Sequence, residues 1–403
     1  MRTALVAVGC LLCVTVLSAQ TPRWTATRDL RIGDVNDPEY AISYVRSLLV
    51  GRDGSIYALQ DQSEVRVFGA EGRSRFKFGR RGEGPGEFTG AARMGWKGDT
   101  IWIYDSRQAR ISLFLPDGKF LSVLPARNPS VPAGAGVVRA TGLLADGTLI
   151  GGLAVSANDA AEGRVTSNAL LRFSRQGEGE GARAVLDTLA VYSIRNSTHL
   201  ITDPENPRGV RSYTSQPFGD APLVATAADG GGVYVVDRPI ATNARQANFT
   251  VSRMNLRGDT VYRRSFVYVP QRLAKTQVDS VVRERVATST KSVAAGFAPA
   301  LQPGNAERLV RKGLFVPVLH PPVQQVVSGD DGTLWLRRED LGRATHTWQV
   351  LDANGVTIAT VDLRGKLAVT NARRTAVWGQ EFDELQVSYI VRYRLTAGPP
   401  PRR

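Results

Sequence analysis

The chain has 403 residues, 42% of them hydrophobic and 22% charged, with 51 Lys+Arg against 37 Asp+Glu and a formal net charge of +14. That length can bury a sizeable core unaided, and both cysteines, Cys10 and Cys13, fall in the first nineteen residues, which excludes a disulfide framework or a cysteine metal site beyond them. Aromatic content is 7% without aromatic–basic interleaving, so a surface that stacks single-stranded nucleic acid is excluded and no specific nucleic-acid partner is expected.

Residues 1–19 read as a signal peptide: Arg2 is the positive region, Ala4–Leu17 the apolar run, and Ser18-Ala19 a small-residue cleavage site before Gln20. The run is too short to span a bilayer, and no later window is apolar enough for a membrane helix. The expected location is therefore outside the cytoplasm, in the periplasm or beyond the cell. A lipoprotein with Cys10 as the modified residue is the rival reading, and it leaves only about five apolar residues before that cysteine, where a signal core needs about 7–15.

From there the chain repeats one motif, a turn of Asp-Gly or Gly-Asp followed by an aromatic or β-branched strand. It occurs as Asp53-Gly54 with Ile56-Tyr57, Gly98-Asp99 with Ile101-Trp102, Asp146-Gly147 with Leu149-Ile150, Asp229-Gly230 with Val233-Tyr234, and Asp331-Gly332 with Leu334-Trp335. A degenerate sixth copy ends in Val377-Trp378. From Tyr57 to Trp102 to Ile150, and again from Trp335 to Trp378, the step is about 45 residues, the length of one four-stranded propeller blade. The expected fold is all-β: a six-bladed β-propeller over residues 20–398 with a small helical insertion between blades four and five.

The steps ending at Tyr234 and Trp335 are about twice as long. The first contains the polar stretch 193–215, read as a long loop between blades. The second contains the insertion 270–313, where Val278, Val281, Val282 and Val286 form one apolar helical stripe and a second helix, Ala306–Lys312, is capped by Asn305 and ended by Gly313. Near the end, Leu385–Leu395 leaves the last blade one strand short. Thr25–Ile32 is expected to supply it and remove the open edge of the ring. Residues 399–403, three prolines and two arginines, read as a disordered tail.

Gly79-x-x-Gly82-x-Gly84-Pro85-Gly86-Glu87-Phe88 and Tyr104-Asp105-x-x-x-x-Arg110-Ile111-x-x-Phe114 resemble the NHL-type and related six-bladed propellers of exported bacterial proteins. The resemblance covers blades one and two well and fades through blades three and four. It implies a ring of six sheets around a central channel, and little chemistry, because one fold hosts scaffolds, lyases and metal-dependent lactonases.

The glycine-rich stretch lacks the following helix that a phosphate loop needs, and reads instead as an inter-blade turn with Phe88 packed between sheets. His199, His320 and His346 have no paired spacing, so a three-histidine zinc site would require all of them to converge. Calcium needs only oxygen ligands, which leave no spacing motif. Asp61, Asp105 and Asp237 each follow an innermost-type strand and are the metal candidates, with opening of the next turn as their alternative role. No Gly-x-Ser-x-Gly elbow supports a nucleophilic mechanism. The catalytic residues are left unassigned.

Function is thus expected to be a non-catalytic scaffold presenting a protein- or small-molecule-binding face, without a cofactor. The alternative is a Ca²⁺-dependent hydrolase or lyase with its site at the channel mouth. A third reading, docking on an anionic polymer, rests on Arg80-Arg81, Arg263-Arg264, Arg337-Arg338 and Arg373-Arg374.

Overall fold

The computed structural model describes residues 21–126, 138–176, 183–202, 211–294, 303–338 and 344–398; the signal segment 1–19 and the tail 399–403 lie outside them. The fold begins with β1 (Arg23–Ile32). A four-stranded antiparallel sheet follows, β2 (Val45–Val50), β3 (Ile56–Gln60), β4 (Glu64–Phe68) and β5 (Ser74–Phe78), paired in chain order. Two short strands, β6 (Arg80–Arg81) and β7 (Glu87–Phe88), pair in parallel and close the glycine-rich turn. The second sheet is β8 (Ala91–Lys97), β9 (Thr100–Asp105), β10 (Arg110–Phe114) and β11 (Phe120–Pro125).

The third sheet is β12 (Val138–Leu143), β13 (Leu149–Leu153), β14 (Ser167–Gln176) and β15 (Arg183–Ser193), with the short helix α1 (Ala157–Ala161) between its second and third strands. A separate hairpin, β16 (Thr198–Thr202) and β17 (Arg211–Ser215), precedes the fourth sheet, β18 (Leu223–Thr226), β19 (Val233–Asp237), β20 (Ala247–Met254) and β21 (Thr260–Tyr268). Helices α2 (Lys275–Ala294) and α3 (Pro303–Gly313) come next. The chain ends in β22 (Val323–Ser328), β23 (Leu334–Arg338), β24 (Thr345–Leu351), β25 (Thr357–Arg364), β26 (Ala368–Arg373), β27 (Ala376–Phe382) and β28 (Ser388–Ala397).

The arrangement is all-β and propeller-like, but the expected six separate sheets are not what forms. Among the described residues there are four sheets of four strands, two of two, and one of eight in the order β22-β23-β24-β25-β1-β28-β27-β26. The cause is β1. It runs antiparallel to β28 from Trp24↔Ala397 to Ile32↔Ile390, and its first two residues also pair in parallel with β25, at Arg23↔Thr360 and Trp24↔Val361. Backbone pairing of this kind leaves no side-chain signature to read beforehand.

Alternation along single strands decides which layer each residue enters. In β9, Ile101, Ile103 and Asp105 are buried while Thr100, Trp102 and Tyr104 are half-buried. Ile101 and Ile103 join Leu59, Phe78, Phe88 and Phe114 in the layer between the first two sheets. Trp102 and Tyr104 face the other way, onto Val138, Ala140 and Phe173 of the third sheet. Phe88 is fully buried, so the glycine-rich stretch is the inter-blade turn expected. Glu87 accepts hydrogen bonds from Arg80 at 2.7 Å and from the Gly84 amide at 2.8 Å, and Arg110 donates to the carbonyls of Glu83, Gly84 and Glu87.

Two local expectations are corrected. Stretch 193–215 is not simply a loop, since it contains the hairpin β16–β17. The second helix starts at Pro303, ahead of the predicted Asn305 cap, and proline suits a first helical turn, whose amides have no intrahelical acceptor.

Candidate functional site

β2, β8, β12 and β18 are the first strands of the four-stranded sheets, β22 and β26 are the two edge strands of the eight-stranded sheet, and residues from all six line one central cavity of about 430 Å³. These strands start at the same end of the channel, because each unit runs antiparallel in chain order. Connections from a fourth strand to the next first strand, and from a second strand to a third, lie at that end as well. α1, the β16–β17 hairpin and the α2–α3 pair all occupy such connections.

The three candidate aspartates prove to follow the second strands, β3, β9 and β19, not the innermost ones. Each sits one strand back from the channel. Asp61 is exposed, lies at φ 49° and accepts a hydrogen bond from Ser43 Oγ at 2.7 Å. Asp237 is exposed at the end of β19. Asp105 is fully buried, yet both its oxygens are occupied. One accepts the amides of Arg107 and Gln108 at 2.9 and 3.0 Å, the other those of Thr89 and Gly90 at 2.8 and 3.0 Å together with Gln108 Nε2. This is the turn-opening role. Among the described residues no three His, Cys, Asp or Glu side chains gather closely enough to hold a metal ion, and the three aspartates do not come together.

The two ends of the channel carry different sets of charged residues, with exposed Asp61 and Asp237 at the near end. At the far end the Asp-Gly turns form a pocket of about 630 Å³ lined by Asp53, Asp99, Asp229, Asp330 and Asp331 with Arg52 and Arg373. These acids are used locally. Asp53, Asp229 and Asp331 each accept the amide two residues on, and Asp330 pairs with Arg373 at 2.5 Å. At the near end, exposed Arg46, Arg93 and Arg139 stand close to the starts of β2, β8 and β12.

The α2–α3 pair and the β16–β17 hairpin pack together into a cap among the connections at that end. Val282 of α2, Ala306, Leu309 and Val310 of α3 and Ile201 of β16 form a small apolar core of their own, with Val278 and Val286 packed against it. Gly313 is required at the junction: a Cβ there would stand 2.2 Å from the Leu200 carbonyl oxygen, so only glycine lets the helix end meet the hairpin. Gln216 Nε2 donates to the Gly313 carbonyl at 2.9 Å, and Arg311 pairs with Asp279 and Glu307. Beneath the cap, buried Arg238 donates to the carbonyls of Ala221 and Val323 at 2.8 and 2.9 Å, fastening the starts of two inner strands. Burial lowers its pKa to about 10, with Asp220 opposing the shift.

Two of the histidines are buried in this region without converging. His199 Nε2 donates to the Val310 carbonyl at 3.0 Å, which leaves Nδ1 to accept from Arg285. Arg285 also donates to the Ser215 carbonyl. Burial, reinforced by the Arg285 charge, depresses the His199 pKa to about 4. His320 lies edge-on to Phe218 and beside Gln277 Oε1, and burial depresses it to about 4 as well. Their unfolded pKa is about 6.5, so the unfolded chain binds more protons between pH 6.5 and 4. Stability is then complete above that window and falls as pH drops through it, by up to about 1.4 kcal/mol per pH unit for each histidine. Urea unfolding from pH 7.5 to 4.5 should show this slope, and His199→Gln should flatten it. An unchanged slope would remove His199 from the account.

No family model matches the chain, and no curated protein matches it. The likeness of Gly79–Phe114 to NHL-type repeats is thus one of motif. Among solved structures, a member of the DUF4221 family from Bacteroides vulgatus is similar at 9% identity, covering 94% of this chain and 100% of that one, with a TM-score of 0.49. BamB from Moraxella catarrhalis is similar at 11% identity over 88% and 86% with a TM-score of 0.32. A calcium-binding protein, regucalcin, from Agrobacterium tumefaciens gives 11% identity over 94% and 98% with a TM-score of 0.36. At these values no activity transfers. Among the described residues no helix is long and apolar enough to cross a membrane.

Proposed function

We propose that the protein is an exported six-bladed β-propeller that works as a non-catalytic scaffold, binding a protein or small-molecule ligand on its cap-bearing face. Counting the eight-stranded sheet as two blades joined through β1 and β25 gives the six. Apolar layers between successive units support that count, up to the seam where Trp378 and Ile390 pack on Ile56 and Phe68. Export rests on the pattern of Arg2, Ala4–Leu17 and Ser18-Ala19.

The observation that carries the binding reading is the cap with its own apolar core. Beside it, Leu273 N–H bonds to the Val318 carbonyl and His320 N–H to the Gln271 carbonyl, pairing two segments beneath the helices. Val267 and Val269 on one side and Val316 and Val318 on the other are 61%, 69%, 49% and 70% exposed. Exposed apolar side chains such as these are the residues a partner would cover. Site-specific photo-cross-linking at residue 318 in an exporting bacterium tests the reading. One discrete adduct is expected, lost on Val269→Asp with an unchanged melt. No discrete adduct, or one indifferent to the substitution, would overturn it.

A metal-dependent hydrolase or lyase makes a different forecast. Calcium held at 100 times its dissociation constant would add about 2.7 kcal/mol of stability. Melts of residues 20–403 in EDTA and in Ca²⁺ are expected to coincide, and a reversible calcium-specific rise would turn the reading to the enzyme.

A further inference from the structure

We propose that the near end of the central channel binds a small organic anion, with its charged group among Arg46, Arg93 and Arg139 and its apolar body along Trp102; this rests on the ligand-binding reading above. The three arginines come from β2, β8 and β12, neighbours in the ring, and all three are exposed. Among the described residues none has a carboxylate within ion-pair distance. Other arginines of the ring are held in ion pairs, Arg373 with Asp330, Arg172 with Asp146 and Arg392 with Asp29. Arg46 instead lies over the Tyr44 ring at 5.2 Å and donates to its hydroxyl at 3.3 Å. Arg93 is the cross-strand partner of Tyr104, whose phenol senses the charges of both Arg139 and Arg93. The one carboxylate lining the cavity, Asp330, lies beyond the far end of β22 and is taken by Arg373.

Arginines without an ion-pair partner at the mouth of a low-dielectric channel attract anions, and guanidinium groups bind carboxylates with directed, paired hydrogen bonds. The wall behind them is mixed, and part of it is apolar. Trp102 pairs with Gly95 two residues deeper than the Arg93–Tyr104 pair, roughly 7 Å along the strand. A Cβ on Gly95 would fall 2.4 Å from the indole and one on Gly142 3.1 Å from it. Gly95 is therefore needed for the ring to lie across β8, and Gly142 gives it room beside β12. Met94, Leu48 and Val327 continue this lining. An inorganic ion would leave that surface unused, so an organic anion fits better.

Isothermal calorimetry on purified residues 20–403 tests the proposal with a panel of alkyl and aryl carboxylates, each beside its uncharged amide, and with inorganic phosphate. At least one carboxylate is expected to saturate the protein, with its amide and phosphate at least about tenfold weaker and tryptophan emission changed in the parent but not in Trp102→Phe. The triple change Arg46→Gln, Arg93→Gln, Arg139→Gln should weaken binding at least about tenfold with an unchanged melt, and raising salt from about 50 to 200 mM should weaken it in the parent. If the triple variant does not fold, Arg93→Gln alone carries the test. Equal binding of acid and amide, phosphate binding as tightly as any organic acid, full affinity in the arginine variants, or no saturation by any carboxylate would each overturn it. Cross-linking at the cap does not involve these arginines, so a failed channel and a failed scaffold are told apart.

Discussion

Deleting residues 21–33 is expected to abolish cooperative folding of the remaining chain. β1 lies between β28 and β25 inside the eight-stranded sheet and joins its two halves. Its loss would strip hydrogen bonds from β28 along its length and leave a long unpaired edge, the form of strand most prone to aggregate. Buried contacts go with it: Ile32, 2% exposed, packs with Val45, Phe68 and Trp378, and Trp24 sits 6.2 Å from Trp335. Ion pairs of Arg28 with Glu381, and of Asp29 with Arg392 and Arg394, are also lost. Because β1 joins the first residues of the fold to the last, its contacts span almost the whole sequence and close the ring. The truncated protein should accumulate as aggregate, and a synthetic peptide of residues 21–34 added during refolding should restore a soluble monomer. A truncated chain that melts as sharply and as high as the parent would show that β1 is dispensable.

The turn–strand repeat was legible because it follows local chemistry. Asp53, Asp146, Asp229 and Asp331 each accept the amide two residues ahead, and glycine follows each at positive φ, from 70° to 83°. A residue that must cap its own turn is visible one repeat at a time. The join between β25 and β1 is not local in this sense. The hairpin β16–β17 was missed because its segment is polar, and the apolar partners that hold Ile201 lie about a hundred residues later, on α3. The arginines at the channel mouth escaped for a related reason. Adjacent pairs such as Arg80-Arg81 stand out in a sequence, whereas Arg46, Arg93 and Arg139 occur singly, one per repeat, and meet only when the ring forms. Stacking the repeats on their first strands, Val45-Arg46-Ser47 over Ala92-Arg93-Met94 over Val138-Arg139-Ala140, would have shown them. Asp105 stands in the sequence beside Asp61 and Asp237 as one of three equal candidates, and only its surroundings in the fold show a buried acceptor of turn amides.

That chemistry sets the cost of changing it. Replacing Asp105 with alanine removes both acceptors and leaves the amides of Thr89, Gly90, Arg107 and Gln108 facing a cavity with no partner. A buried donor without an acceptor costs about 1–3 kcal/mol, and relaxation of the turns toward water offsets part of the sum. A net loss of about 3–5 kcal/mol is expected for Asp105→Ala, in the range of the largest single-residue effects. Asparagine separates geometry from charge. Its oxygen can serve one pair of amides, but its NH₂ group must then point at the other pair, donor against donor. Asp105→Asn should therefore cost about half as much as the alanine change, not close to zero as an isosteric swap at an exposed site would. Urea unfolding at pH 7.5 checks both values. The mechanism also locates the damage: Phe88 is held by the strand that enters this loop, so loss of the Thr89 and Gly90 anchors should loosen the layer between the first two sheets first. Amide exchange should rise at residues 87–91 and 105–108 ahead of the rest of the ring. Uniform exchange, or a cost below about 0.5 kcal/mol for the asparagine variant, would mean that the carboxylate is not what holds these turns.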